Sequence, residues 1–190
     1  MMRNVVEKLE RAITSSDDIE DVVEAVRTCL VARLTLRGWL PEEAMAVNAE
    51  GYARHLLHRD PAGRFTVVAM VWGPGQRTPI HDHAGVWCVE GVYSGCIRVT
   101  SYDLRARNGK RCRFEACREL TQDIGCAGAL IPPVEYHVIE NPEDIPAITV
   151  HVYGGELETC NVFEPDGDGY HTMVARALSY TSSCEEAAAK

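Results

Sequence analysis

Two histidines one residue apart, His81 and His83, form the group in this chain best suited to metal chemistry. Side chains alternate along a strand, so positions i and i+2 share a face. Two imidazoles placed in this way reach one ion while Asp82 between them points away. Alone, the spacing also fits two ordinary surface or core histidines. A second pair lies in the apolar run Ala147 to Tyr153, where His151 and Tyr153 share one face and Val150 and Val152 fill the other. Two polar groups on such a face need partners. Their spacing reads as a satisfied buried Tyr–His contact or, through His151, as a further metal ligand.

The elements that must carry these residues change character along the chain. Residues 4–47 read as helix: Val5, Val6, Leu9, Ala12 and Ile13 share a face, and Ile19 to Leu34 repeats apolar residues at three-four spacing after an Asp17-x-x-Glu20 capping signal. Pro41 with Glu42 and Glu43 predicts a short third helix. From about Arg64 the chain breaks into β-branched and aromatic runs over 64–72, 76–83, 86–93, 96–103, 111–119, 126–131, 135–140, 147–153, 159–164 and 171–177. That rhythm predicts an all-β sandwich or barrel, with Asn108-Gly109 its strongest hairpin signal. The expected organisation is one domain over 1–190, with a helical cap over 1–50 and a barrel over 51–180. The tail from Glu185 to Lys190 reads as a frayed end.

Composition narrows the partners. The chain has 190 residues, 46% of them hydrophobic, enough for one substantial core. Its formal charge of -9 disfavours nucleic acid and anionic membrane surfaces. No apolar run approaches the roughly 20 residues that span a bilayer, and the charged N-terminus does not suit a signal peptide. A soluble, cytoplasmic monomer is expected. Eight cysteines without a C-x-x-C pair exclude a zinc ribbon or thioredoxin motif and read mainly as small packing residues. Residues 51–80 depart from the acidic average: Arg54, Arg59, Arg64 and Arg77 face only Asp60, a positive stretch running into the histidine pair.

The flanks of that pair resemble the first cupin motif, G-x5-H-x-H-x4-E-x6-G, in Gly75, His81, His83 and Gly95, with Cys88 at the usual glutamate position. Pro132, His137 and Asn141 partly match the second motif, where Val134 replaces a glycine and Gly125 is out of register. The resemblance implies a mainly β fold, a cupin double-stranded β-helix (jelly-roll barrel) with N-terminal helices, holding a metal in the barrel mouth. Three neutral imidazoles would leave a divalent ion its full charge of about +2 and open positions, which favour an anionic chelating substrate such as a thiolate.

More specifically, Tyr52-Ala53-Arg54, Val71-Trp72-Gly73, Pro79 to His83, Cys88, His137 to Asn141 and His151-Val152-Tyr153 together resemble the thiol dioxygenases, cysteine dioxygenases above all. The resemblance implies that His81, His83 and His137 bind one Fe(II), and that L-cysteine and O2 react there to give cysteine sulfinate. It makes Tyr153 the active-site phenol, oriented by His151. It also assigns Arg54 to the substrate carboxylate, as in family members selective for cysteine, with Tyr52 adding a hydroxyl if the segment is extended. Cysteine at the position of Cys88 forms a thioether with the active-site tyrosine in mammalian-type members, so a Cys88–Tyr153 crosslink is expected. Two other readings stay open: a dioxygenase of 3-mercaptopropionate, mercaptosuccinate or a related thiol, and a cupin that senses a metal or thiol without turning it over.

Overall fold

The structure is a computed structural model and describes residues 2–133 and 135–184, so the expectations for Val134 and the Glu185–Lys190 tail lie outside the described residues. Helix α1 (Met2–Ile13) and helix α2 (Ile19–Leu34) come first, followed by a 3-10 turn, Glu42–Met45, at the expected third helix. Asp18 rather than Asp17 caps α2. Its extended backbone (φ -84°, ψ 126°) is the N-cap conformation, and its carboxylate accepts the Glu20 N–H at 2.8 Å.

The remaining chain forms strands β1 (Ala53–Arg59), β2 (Thr66–Trp72), β3 (Ile80–His81), β4 (Cys88–Ser94), β5 (Cys96–Asn108) and β6 (Arg111–Asp123). Strands β7 (Ala127–Leu130), β8 (His137–Glu140), β9 (Ala147–Tyr153), β10 (Thr159–Pro165), β11 (Tyr170–Ala177) and β12 (Ser182–Ser183) complete them. One sheet runs β12-β1-β2-β9-β4-β7. The other runs β10-β11-β6-β5-β8-β3 and closes through the β3–β10 pair. This is the expected mainly β double-stranded β-helix, with helices at the N-terminus.

Strands β1 and β12 carry no apolar alternation. Arg54, His55 and His58 break the pattern of β1, yet Arg54 and His55 are buried. His55 is satisfied by Ser182 Oγ at 2.8 Å from Nδ1 and by the Ala46 carbonyl at 3.1 Å from Nε2. Burial of polar side chains with partners hides a strand from a hydrophobicity reading.

Strands β2, β4 and β9 are buried on both faces. Val67, Ala69, Val71, Val89, Val150 and Val152 pack against the helices through Leu9, Val26, Leu30 and Leu34. Val68, Met70, Trp72, Cys88, Val92 and Tyr153 face the other sheet, meeting Ile97, Val99 and Ile139. Full burial of each large aliphatic side chain stabilises by about 1.5–3 kcal/mol, and this double layer fixes the register of β4 against β9. The helix layer is close: a Cβ on Gly91 would lie 2.5 Å from Leu34 Cδ1. No described helix is long and apolar enough to cross a membrane.

Candidate functional site

His81 ends β3 and is the register partner of His137 on β8. Strand β3 is shorter than the expected 76–83, since Pro79 has no N–H for a ladder. His83 therefore lies just beyond the strand rather than within it. It still converges with the others: the ligand atoms of His81, His83 and His137 lie within 4.8 Å of one another. Asp82 turns to β10 instead, accepting the Asn161 N–H at 2.8 Å and the Asn161 side-chain amide at 2.8 Å. Glu135 holds the backbone N–H of His83 at 2.9 Å.

The three rings suit a metal. His81 Nδ1 donates to the Pro79 carbonyl at 3.2 Å, which leaves its Nε2 as a lone pair, and that Nε2 stands 3.1 Å from His137 Nε2. Two nitrogens each about 2.1 Å from a shared ion would stand about 3 Å apart. Burial lowers the pKa of all three imidazoles, His83 and His137 well below the usual value, so they are neutral and available. Asn141, at the second-motif position, is structural: its amide donates to the carbonyls of Trp72, Gly73 and Ile145.

Beside the histidines, β4 and β9 present a second buried cluster. Register places Cys88 opposite Tyr153 and Glu90 opposite His151. The ligand-type atoms of Cys88, Glu90 and His151 lie within 4.8 Å of one another. His151 thus belongs to this cluster and not to the histidine triad. Its Nδ1 is 3.4 Å from Tyr153 Oη, and its Nε2 is 2.8 Å from Thr149 Oγ1, which accepts Trp72 Nε1–H at 2.9 Å. Burial drives His151 down to about 3, with the Arg54 charge adding to it, and pushes Glu90 up to about 8. It also raises the Cys88 thiol and the Tyr153 phenol well above their ordinary values, so both keep their protons.

Tyr52 and Arg54 line the same cavity as His81, His83, His151 and Tyr153. Arg54 is 6% exposed, donates from Nη1 to the Ser179 carbonyl at 3.3 Å and lies 5.0 Å over the Tyr180 ring. Its Nη2 is buried with no hydrogen-bond partner among the described residues. The other arginines of the positive stretch do not converge there. Arg59 pairs with Glu156 at 2.7 Å, Arg64 with Asp60 at 2.7 Å, and Arg77 approaches Glu140 at 4.0 Å, so most of that charge is answered at the surface.

Several lining or supporting residues escaped the sequence reading: Thr149, Glu90, Cys160 and Arg176. Period two was the available signal for Thr149, two before His151, and for Glu90, two after Cys88. All eight cysteines are free, and Cys117 on β6 and Cys126, just before β7, are exposed rather than packed.

The profile of the family described as "Cysteine dioxygenase type I" matches residues 34–166. Cysteine dioxygenase type 1 of Danio rerio is 26% identical over 124 residues, 65% of this chain and 60% of that protein. The Rattus norvegicus protein of the same name is 26% identical over 114 residues, 60% of this chain and 56% of its own length. The chain thus spans less than two thirds of the length of these curated relatives. Among solved structures, a Klebsiella pneumoniae protein with a double-stranded β-helix domain aligns with TM-score 0.48 at 19% identity, covering 63% of this chain and 84% of that one.

Proposed function

Because the chain belongs to the cysteine dioxygenase type I family, we propose that it is an Fe(II)-dependent dioxygenase that adds both atoms of O2 to the thiol of L-cysteine, giving cysteine sulfinate. The observation that carries this reading is one cavity lined by both His81 and His83 and by the buried, partly unpartnered guanidinium of Arg54. A metal-directed thiol and a free carboxylate fit those two ends.

In this reading His81, His83 and His137 hold the iron as neutral ligands. Bound Fe(II) supplies a place where thiol and O2 meet, together with one-electron chemistry that side chains lack. Arg54 takes the substrate carboxylate through Nη2, and Tyr52 adds a hydroxyl beside it. A guanidinium already anchored by Ser179 and Tyr180 loses little freedom on binding. Tyr153, protonated because of its burial, offers an O–H to the reacting end, and the His151 ring stacks beside it with centroids 5.8 Å apart. Leu157, Val162 and Leu178 add apolar side chains to the lining. Cys88, opposite Tyr153, forms a thioether with it during turnover: the thiol hydrogen and one ring hydrogen leave as protons, and two electrons pass to O2.

A second reading has its own observation. Arg176 lines the same cavity from β11, where it pairs with Glu164 at 3.3 Å. A second guanidinium at the wall would suit a thiol with two carboxylates, such as mercaptosuccinate. Oxygen consumption by the Fe(II)-loaded protein with L-cysteine, 3-mercaptopropionate and mercaptosuccinate tests both. The proposal expects L-cysteine to give the highest kcat/KM; preference for the dicarboxylate would favour the second reading, and no uptake with any thiol would leave only a sensing role.

A further inference from the structure

Glu90 is a carboxylic acid on the interior face of β4, 2% exposed, between Cys88 and Val92. Its Oε2 is buried without a hydrogen-bond partner among the described residues. Such a group costs free energy unless something answers it. An imidazole donor stands across the strand pair. Glu90 and His151 are direct register partners, and Glu90 Oε2 stands 3.5 Å from His151 Nδ1.

The direction of hydrogen donation at His151 follows from the far end of the chain of contacts. The Trp72 indole can only donate, so Thr149 Oγ1 accepts from it. Thr149 Oγ1 has no other acceptor among the described residues, so its one hydrogen goes to His151 Nε2, 2.8 Å away. Nε2 being the acceptor, the ring hydrogen of the neutral imidazole sits on Nδ1. Nδ1 faces Glu90 Oε2 at 3.5 Å, Tyr153 Oη at 3.4 Å and Cys88 Sγ at 3.8 Å. Of these the carboxyl oxygen is the strongest acceptor and the one left without another partner.

We infer that Glu90 is a positioning residue for the reaction proposed above, taking the Nδ1 hydrogen of His151 and so completing a Trp72–Thr149–His151–Glu90 chain behind Tyr153. Since Nδ1 is then a donor, the phenol cannot give its hydrogen to the imidazole and keeps its O–H for the cavity. Burial holds Glu90 protonated near neutrality, so its carbonyl oxygen accepts without charging the dry interior. The role rests on the dioxygenase reading; the hydrogen-bond chain itself does not.

The test compares the wild type with Glu90→Gln, whose amide oxygen still accepts, and Glu90→Leu, which cannot. In metal-free, 15N-histidine-labelled protein, His151 is expected to carry its proton on Nδ1 in the wild type and in Glu90→Gln. In Glu90→Leu that N–H resonance should move upfield. With Fe(II) loaded, Glu90→Leu should lose roughly tenfold in kcat, the worth of about one hydrogen bond, with KM and iron content unchanged, while Glu90→Gln stays close to the wild type. An Nε2-protonated ring in the wild type, a Gln variant as impaired as the Leu variant, or a second metal ion bound per chain at Cys88, Glu90 and His151 would each overturn the inference. If Glu90→Leu does not fold, the wild-type tautomer and the Gln variant still decide. If the wild type oxidises no thiol, the dioxygenase reading fails while the ring resonances still judge the chain.

Discussion

Cys88 and Tyr153 are direct partners across the β4–β9 pair, both buried and both on the sheet face that lines the cavity. Facing side chains in an antiparallel pair are as close as strands bring them. After prolonged turnover with Fe(II), thiol and O2, peptide mass analysis should find the two segments joined with the loss of two hydrogens. Cys88→Ser should abolish the joined species and leave the protein folded.

Arg54 is the predicted carboxylate anchor. Arg54 lines the cavity, and Arg54→Ala removes its buried guanidinium, whose Nη2 has no partner among the described residues. Truncating one side of a desolvated charge pair costs about 2–5 kcal/mol. Steady-state oxygen uptake should therefore show a large rise in KM for L-cysteine, with iron content retained.

His81→Ala should lose the metal. Two remaining imidazoles are too few for a stable mononuclear site, so the purified variant should contain almost no iron by elemental analysis and show no turnover. An iron-replete variant with normal turnover would contradict the assignment of His81.

Stability should depend on pH in two opposed windows. His151 is lowered to about 3 in the fold, so the unfolded chain binds the extra proton between there and its ordinary value near 6.5, and stability falls as the solution is acidified through that range. Glu90 is raised to about 8, so the folded chain holds a proton that the unfolded chain has lost, and stability falls as pH rises from about 4.5 toward 8. Above pH 6.5 the Glu90 effect stands without the histidine's. Denaturant unfolding of the metal-free protein should show a loss on the order of 1–2 kcal/mol between pH 6.5 and 8, and Glu90→Gln should flatten it.

Much of this was legible in the residues, for physical reasons that also explain the gaps. His81, His83, His151 and Tyr153 stand out because strand alternation converts a two-residue spacing into a shared face, and the ten predicted strands each correspond to an observed one. Strand β1 was hidden because Arg54 and His55 are buried polar residues held by the distant Ser179 and Ser182, contacts with no local trace. Glu90 was overlooked for the opposite reason: an acidic residue in an apolar strand reads as solvent-facing, yet β4 has no solvent-facing side. The apparent positive patch failed because Arg64 pairs with its near neighbour Asp60, while Arg59 and Arg77 point to Glu156 and Glu140, which only the fold brings near.

The most direct measurement is a single-turnover experiment on anaerobically Fe(II)-loaded protein mixed with L-cysteine and then with isotopically labelled O2. The account predicts cysteine sulfinate with both added oxygen atoms carrying the label. Cystine with hydrogen peroxide, a product with one labelled oxygen, or unchanged cysteine would contradict it.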